Sequence, residues 1–439
     1  MTGRIIHSDI FSSRRKKLKM RWFKFFGYVF LLLLAVSVGV RFDEKINQFN
    51  DTYIRGKNPA EQELIGYWLN SYKPVSTSSF DYRSLSKNAN RAVDQYGTDT
   101  TIGGLPVYSA FNNRSVEWMT NDGLFFSGDP GLKNISHVNI WKYLSFPVLQ
   151  KSNGGIRGAV RLDASRLIVY FTGERGHEED SEEAAEYTIR LSIINLDEEI
   201  QESHLVLDSF SVEEHFALGG GMVLSATSDA VILSIGSASG TDDLVAGSKA
   251  QRSDSLFGKV VRVGIAKEGI GRQFLEPQVV STGHRNPQGM YLLGNTIFAV
   301  EHGPMGGDEL NIIEQNGNYG WNIRSFGAKY SGEDGSYEGA RDQFTDPIFY
   351  FTPSIGISDV KNCPKVFSRL GYRPCLMVSA LRDQSIHFLK LDDSGGTYTV
   401  QSVERIELPG RVRTIVPSGD SIYAFLDSKK VVRIIYAPR

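Results

Sequence analysis

Short apolar runs, each following one or two turn residues, recur along the chain from about residue 103 onward. Six runs share this β-rich form: Leu124–Phe126, Leu167–Phe171, Val231–Leu233, Ile297–Val300, Leu376–Val378 and Ile422–Phe425. Apolar runs of this length, bounded by turn residues, predict buried β-strands. Helical periodicity is nearly absent after residue 100, so the sequence predicts an all-β domain.

The spacing of these runs indicates how the strands are grouped. Successive runs lie roughly 45 to 80 residues apart, which is the size of one propeller blade. We therefore expect a six-bladed β-propeller over residues 103–439. Because the intervals are uneven, a pair of β-sandwiches remains an alternative.

The N-terminal region follows a different pattern. An uncharged apolar run, Phe25–Val40, comes directly after a cluster of cations that contains no acid: Arg14, Arg15, Lys16, Lys17, Lys19, Arg21 and Lys24. With Trp22 and Phe23 the run approaches the length of about 20 residues that spans a bilayer. Cations before such a run stay in the cytoplasm. A cleaved signal peptide and a buried helix are the alternatives.

This pattern predicts a division of the chain into four parts. They are a basic cytoplasmic tail (1–21), a transmembrane signal anchor (22–40), a membrane-proximal segment (41–102) and the propeller (103–439). The protein is then a single-pass protein of the inner membrane with its propeller in the periplasm or outside. An exported location permits a disulfide between the only two cysteines, Cys363 and Cys375, with two free thiols as the alternative. The net charge of −2 gives no reason to expect nucleic-acid binding.

One stretch, Ser281–Trp321, concentrates Gly, Pro, Asn, His and acidic residues around a short apolar strand. It contains Gly-His-Arg-Asn-Pro-Gln-Gly at 283–289, Glu-His-Gly-Pro-Met-Gly-Gly-Asp-Glu-Leu-Asn at 301–311 and Gly-Asn-Tyr-Gly-Trp at 317–321. Loops of this kind on a rigid scaffold commonly carry function. The stretch resembles the soluble quinoprotein sugar dehydrogenases, which use pyrroloquinoline quinone (PQQ) and calcium and have the six-bladed propeller fold.

The resemblance implies a set of ligands for the cofactor and the metal. PQQ carries three carboxylates, which favour arginine, and its quinone carbonyl needs a Lewis acid such as calcium. The implied cofactor ligands are Asn153, Arg285, Asn286, Arg382, Arg411 and Arg413. The implied calcium ligands are Gly303, Pro304, Asp308 and Glu309, the first two through carbonyl oxygens.

The implied catalytic base is His215, before the Gly219–Gly221 turn, since an unperturbed histidine titrates near neutrality. Two positions depart from the family: Ser237 stands where the family has an aspartate that orients the histidine, and Asn153 stands where it tends to have glutamine. Arg157 also replaces an apolar residue. On sequence alone, a histidine before a glycine turn also fits a structural role.

The function implied by the resemblance is oxidation of an aldose sugar to its lactone. Hydride passes to the quinone, and electrons leave to a quinone or cytochrome acceptor. The departures at Ser237 and Asn153 keep open a non-catalytic propeller that binds a glycan or a protein partner. A calcium-dependent lactonase propeller is a further alternative, although few carboxylates and amides lie at matching strand ends.

Overall fold

The sheets of this protein are arranged as blades around an axis. The computed structural model describes residues 93–96, 104–112, 114–144, 154–174, 186–211, 217–238, 249–268, 271–328, 343–369 and 373–435. Within those ranges, 24 strands form six four-stranded antiparallel sheets. The innermost strands of neighbouring sheets adjoin one another in a closed ring. The predicted six-bladed propeller is confirmed, and the β-sandwich alternative is excluded.

The first three blades follow one another along the chain, each with its inner strand first. Their strands are β2 Pro106–Asn112, β3 Ser115–Thr120, β4 Leu124–Gly128, β5 Ile135–Asn139; β6 Ile156–Arg161, β7 Arg166–Glu174, β8 Glu186–Asn195, β9 Ile200–Ser211; β10 Met222–Leu224, β11 Ala230–Ile235, β12 Lys259–Glu268 and β13 Gly271–Thr282.

The next three blades repeat the pattern, except that the outer strand of the sixth comes from upstream. Their strands are β14 Pro287–Leu293, β15 Thr296–Glu301, β16 Asp308–Ile312, β17 Phe349–Phe351; β18 Ile357–Asn362, β19 Cys375–Ala380, β20 Ser385–Ser394, β21 Thr397–Glu407; β22 Val412–Ser418, β23 Ser421–Leu426, β24 Val431–Ile435 and β1 Val93–Tyr96. The described helices are α1 Lys365–Arg369 and two 3-10 turns, Ile140–Tyr143 and Lys249–Gln251.

Strand β1 is the outer strand of the sixth blade. It pairs antiparallel with β24, so the first and last described strands share one sheet. β1 lies upstream of residue 103, so the sixth blade takes its outer strand from the stretch that the sequence assigned to the membrane-proximal segment. Among the described residues no helix is long and apolar enough to cross a bilayer. The predicted anchor at residues 22–40 lies outside them.

The core is divided among the six blade interfaces. One buried apolar cluster lies between each pair of neighbouring blades, for example Ile168, Tyr170 and Leu191 of the second blade against Val231 and Phe257 of the third. A strand in the middle of a blade is therefore covered on both faces, which explains why its sequence is a continuous apolar run.

The predicted disulfide between Cys363 and Cys375 is present. It joins the end of β18 to the start of β19, where the backbones already pair through the amide of Cys363 and the carbonyl of Cys375 at 3.0 Å. The bridge lies at the end of the fifth blade where its inner strand finishes.

Candidate functional site

The residues predicted to bind the cofactor and metal come together at one end of the propeller. In every blade the inner strand begins where the second strand ends, as in the pairs Pro287↔Glu301 and Ile357↔Ala380. We call this end the top face. The predicted site residues that the structure describes all lie at it: Arg285, Asn286, Gly303, Pro304, Asp308, Glu309, Arg382, Arg411 and Arg413.

Two predicted residues lie outside the described part of the chain, namely the base His215 and the cofactor ligand Asn153. The turn that follows His215 is described. The amide of Gly219 donates to Asn286 Oδ1 at 3.2 Å, and Gln288 Nε2 donates to the same oxygen at 2.8 Å. The glycine turn after His215 is thereby attached to the Arg285–Asn286 motif.

A buried glutamate that the sequence reading did not select holds the Arg285–Asn286 motif in place. Glu301 Oε1 accepts hydrogen bonds from the backbone amides of Arg285 and Asn286, the second at 3.2 Å. Glu301 Oε2 pairs with His284 Nδ1 at 2.9 Å, and His284 is fully buried against Tyr319. The family motif therefore depends on an acid at the end of the neighbouring strand, and its histidine is a structural residue.

The Arg285 side chain lies over the loop that carries the predicted calcium ligands. Its Nη1 donates to the carbonyl oxygens of His302 at 3.3 Å and Gly303 at 3.0 Å, and the guanidinium packs on the Trp321 ring. Its buried Nε makes no hydrogen bond within the described structure. A cation on the Gly303 oxygen would favour turning this arginine toward another acceptor, because the positive charge of the guanidinium repels the cation.

Asp308 is an organising residue of the same loop. Its buried carboxylate accepts from the Gly303 amide at 3.1 Å and Ser354 Oγ at 2.9 Å, and from the amides of Gly356 and Ile357 at 2.7 and 3.0 Å. Burial opposes ionisation, but His302 and these donors hold the pKa of Asp308 below its usual value. Asp308 thus fixes the backbone on which the Gly303 carbonyl is presented.

The pKa of Glu309 is shifted in the opposite direction from that of Asp308. It lies directly across from Glu301 on the neighbouring strand, and both side chains are buried. Burial, followed by the negative charge of Glu301, raises the pKa of Glu309 to about 8. A cation nearby would favour the ionised form of Glu309.

The Arg-x-Arg pair at the start of β22 is held by one carboxylate. Asp427 accepts from Arg411 Nε at 2.9 Å and from Arg413 Nε and Nη2 at 2.8 and 2.9 Å. Burial opposes ionisation of Asp427, but the two arginines keep its pKa below the usual value. Arg411 is half exposed and Arg413 largely covered. Arg382 lies one blade away, directly after β19.

Ser237 is buried at the end of the β11 segment. Its amide donates to the Arg285 carbonyl at 2.8 Å, while its Oγ has no hydrogen-bond partner in the described structure. A buried hydroxyl without a partner costs free energy, about 1–3 kcal/mol. The hydroxyl therefore has unused hydrogen-bonding capacity beside the Arg285–Asn286 motif.

A cavity of about 80 Å³ lies on the propeller axis at the top-face end of the inner strands. Residues from the start of all six inner strands line it, including the cations Arg157, Lys361 and Arg413 and the acid Asp359. Arg285 lines a separate, smaller cavity of about 10 Å³ with Glu301, Gly303 and Pro304. The predicted arginines thus share one face but not one cavity.

The axial cavity owes its lining to repeated β-bulges. In five of the six inner strands, within the ranges described, the ladder skips one residue near the start of the strand. A bulge leaves an extra residue unpaired and redirects its side chain. The extra residues all line the cavity: Val107, Arg157, Gln288, Ser358 and Arg413.

The donor chemistry of the top face suits an anionic cofactor. Four arginines from three blades lie at this face, two of them bound to Asp427, and the buried Nε of Arg285 is a donor without an acceptor in the described structure. For a metal, the available donors are the carbonyls of Gly303 and Pro304 together with Glu309. No group of three or more His, Cys, Asp or Glu side chains in the described ranges is arranged around a metal position.

Comparison with known proteins identifies relatives over most of the propeller. A family model described as Glucose / Sorbosone dehydrogenase matches residues 131–435. The aldose sugar dehydrogenase YliI of Escherichia coli is 29% identical over 206 residues, 43% of this chain and 53% of that protein. The matched segments span about half the length of the curated relatives.

Solved structures share the architecture. The apo form of the soluble aldose sugar dehydrogenase from Escherichia coli superposes with a TM-score of 0.57 at 21% identity, over 76% of this chain and 97% of that one. The PQQ-bound aldose sugar dehydrogenase from Streptomyces coelicolor gives 0.56 at 17% identity, over 78% and 98%. At these identities the likeness shows the fold.

Proposed function

The chain belongs to the glucose/sorbosone dehydrogenase family, and we propose that it oxidises an aldose sugar to its lactone with PQQ and calcium. The observation that supports this proposal is that Arg285, Arg382, Arg411 and Arg413, from three different blades, lie at strand ends on the top face. Arginine forks bind carboxylates in two-point contacts. Asn286, fixed by Gly219 and Gln288, and Asn153 complete the set that holds the cofactor.

The metal in this proposal lies at the loop after β15. The carbonyls of Gly303 and Pro304 are the hard oxygen ligands that calcium prefers. Glu309 becomes ionised when the cation is near, and Asp308 acts by fixing the loop through its four hydrogen bonds. Arg285, once released from the Gly303 oxygen, would be one of the residues that hold a cofactor carboxylate.

His215 acts as the base in this proposal. It would accept the proton of the sugar's anomeric hydroxyl, and a neutral imidazole is suited to this near pH 7. Bound PQQ, polarised by calcium, supplies the hydride acceptor. The glycine turn at 219–221 and Asn286 fix the segment that follows His215 relative to the cofactor-binding motif.

We further propose that the propeller is exported and held at the inner membrane by the segment at 22–40. The basic cluster before Phe25–Val40 and the Cys363–Cys375 disulfide support an oxidising compartment. Electrons would leave to a quinone or cytochrome at the membrane. Fusing alkaline phosphatase after residue 439 tests the orientation, because the enzyme is active only when exported.

The test of the proposed activity is sugar-dependent reduction of a dye by the purified protein after incubation with PQQ and calcium. We expect reduction with aldoses, its loss on chelation of calcium, and its loss in His215→Ala. Arg262→Leu, on the outer surface of β12, is the matched control. Failure of the protein to take up PQQ would reject the assignment.

A non-catalytic propeller that binds a glycan or protein is the second candidate. The observation in its favour is Ser237, whose hydroxyl cannot stabilise an imidazolium as a carboxylate does. This candidate predicts that the absorption spectrum shows bound PQQ. It also predicts that no aldose causes reduction of the dye at any pH from about 5 to 9.

A further inference from the structure

Lys259 is a buried lysine at the top face that the proposed mechanism does not use. It is the first residue of β12, opposite the last residue of β11, and it is only 1% exposed. Its ammonium donates to the carbonyl oxygens of Lys249 at 2.8 Å, Ala250 at 2.9 Å and Phe257 at 3.0 Å. All three donors of the ammonium are therefore taken up by neutral backbone oxygens.

The charge of this lysine holds the three carbonyl groups together. Oxygens that converge on one point repel one another unless a cation lies between them. Burial lowers the pKa of Lys259 to about 8, while the negative charges of Asp208 and Asp254 act in the opposite direction. Loss of the ammonium would leave three carbonyl oxygens without this donor in a buried place, which costs free energy.

The three carbonyls belong to one segment, 249–257, which also contacts the chain just before Arg285. The Ala250 carbonyl accepts a second hydrogen bond, from the amide of Gly283 at 3.1 Å. The same oxygen is thus shared by the buried ammonium and by the glycine that begins the turn into the Arg285–Asn286 motif.

Gln251 connects the same segment to Trp321. Its Nε2 donates to the Trp321 carbonyl at 2.5 Å, and its side-chain amide exchanges two hydrogen bonds with that of Asn318 at 3.2 and 2.9 Å. The Trp321 amide donates to the Gly283 carbonyl at 2.9 Å, and the Arg285 guanidinium packs on the Trp321 ring. The segment therefore contacts both the backbone that precedes Arg285 and the residue on which its side chain rests.

We propose that Lys259 is a positioning residue for Arg285, whose role in holding the cofactor rests on the proposed function. The ammonium orders the segment 249–257 from within. That segment fixes Gly283 through the Ala250 carbonyl and Trp321 through Gln251. Lys259 thus acts on the cofactor site through the segment, and its charge is the property that matters.

The test uses Lys259→Met in the full chain, which keeps the length of the side chain and removes its charge and donors. Val263→Ala is the matched control, because it opens a cavity at a fully buried position of the same strand, away from the segment 249–257. Gln251→Ala removes the connection to Trp321 at a partly covered position. It keeps the proposal testable should Lys259→Met fold poorly.

The first measurement is hydrogen exchange of the protein without PQQ. Lys259→Met should speed exchange of the Gly283 and Trp321 amides at least about tenfold relative to Val263→Ala, because these amides are held through the segment that the ammonium orders. Val263→Ala should lower overall stability without a selective effect on the two amides.

The second measurement is the affinity for PQQ, from quenching of tryptophan fluorescence in the presence of calcium. Lys259→Met and Gln251→Ala should each weaken PQQ binding at least about tenfold, because Arg285 loses its fixed position. The double variant should be no weaker than the weaker single variant, since both changes break one path. Val263→Ala should bind PQQ as wild type does.

Wild-type PQQ affinity in folded Lys259→Met or in Gln251→Ala would overturn the proposal and leave the proposed function intact. Effects of the two changes that simply multiply in the double variant would overturn it as well. If wild type binds no PQQ, the proposed function fails and hydrogen exchange alone decides this inference. Equal exchange of the Gly283 and Trp321 amides in Lys259→Met and Val263→Ala would then reject it.

Discussion

Ser237 is the residue at which this chain departs most clearly from the chemistry implied by its motifs. Its hydroxyl is buried, has no hydrogen-bond partner in the described structure and lies next to the Arg285 carbonyl. The sequence already shows that serine replaces the usual acid, but only the structure shows that the serine oxygen makes no hydrogen bond among the described residues.

Ser237→Asp is expected to raise kcat for aldose oxidation at least about tenfold, because a carboxylate can orient and charge-stabilise His215. Ser237→Ala removes only an unpaired hydroxyl, so it should leave kcat unchanged and stability equal or slightly higher. Steady-state kinetics of the PQQ-loaded protein and thermal unfolding measure both. A fall in kcat for Ser237→Asp in a folded protein would contradict the role assigned to this position.

Glu301 is a second residue whose importance is visible only in three dimensions. The sequence singled out Arg285 and Asn286, but the acid that accepts from both of their amides lies on the next strand. Sequence distance hides such a partner. The register Pro287↔Glu301 places the acid beside the motif, and this register is known only once the two strands are paired.

Glu301→Gln is expected to weaken PQQ binding about tenfold and to lower the free energy of unfolding by about 1–3 kcal/mol, because it disturbs a buried hydrogen-bond network. Glu202→Gln is the matched control, since Glu202 is equally covered and bonded to Arg166 and Asn195 away from the top face. Glu202→Gln should cost stability and leave the PQQ affinity unchanged. Equal PQQ affinity in Glu301→Gln and wild type would argue against a positioning role for Glu301.

At the level of elements, the strands found from sequence are those buried on both faces. Of the six predicted runs, five fall in the second strand of a blade, where β11, β19 and β23 are buried at every residue. The exception, Leu124–Phe126, is in the third strand of the first blade. Outer strands such as β21 alternate exposed and covered residues, and their weak hydrophobic signal was missed.

The turn between β19 and β20 contains a largely covered acid that should make stability depend on pH. Asp383 accepts from Arg405 Nε at 2.6 Å and pairs with His387 at 3.0 Å. Burial opposes its ionisation, but His387 and Arg405 lower the pKa of Asp383 to about 2. A lowered native pKa stabilises the fold above the unfolded pKa, and this contribution is lost as pH falls through about 4 to 2.

Asp383→Asn should therefore cost about 2 kcal/mol of unfolding free energy at pH 5–7, and the difference from wild type should shrink toward pH 2. Asp392→Asn, an exposed residue of β20, is the control and should change little. Urea unfolding at several pH values measures both. A gap between Asp383→Asn and wild type that stays constant down to pH 2 would show that the acid's charge is not responsible.

The disulfide of the fifth blade is expected to stabilise the fold without affecting the site. It closes a loop of sequence separation 12 at the end of β18, whereas the site lies where β18 begins. Cys363→Ser with Cys375→Ser should lower the unfolding free energy by about 2–3 kcal/mol. PQQ affinity should be unchanged. A large loss of affinity in the folded double variant would indicate that the two ends are coupled.

At the scale of the whole molecule, the sequence predicted the six blades but not how the first described strand joins the last blade. The outer strand of the sixth blade, β1, comes from a polar stretch with no apolar run, and its pairing with β24 joins distant parts of the chain. The bulges that direct Arg157 and Arg413 to the axis are equally invisible, because a bulge is a property of register between two strands.

The same scale explains why the described residues that the sequence assigned to the site lie on one face. Repeated blades place every inner strand start and second strand end on one face, so motifs from three blades meet without long-range signals between them. What pattern reasoning could not give is the division into two cavities. Arg285 lies over the Gly303 carbonyl and lines the smaller cavity, whereas Arg413 lines the axial one.

The most direct test of the account is a crystal structure of the protein grown with PQQ and calcium. We predict one PQQ per chain on the top face, with its carboxylates against Arg285, Arg411 and Arg413 and a cation on the Gly303 and Pro304 carbonyls. Arg285 should have left the Gly303 oxygen. A crystal with no PQQ at saturating concentration, or with PQQ bound only on the outer strands of the blades, would contradict the account.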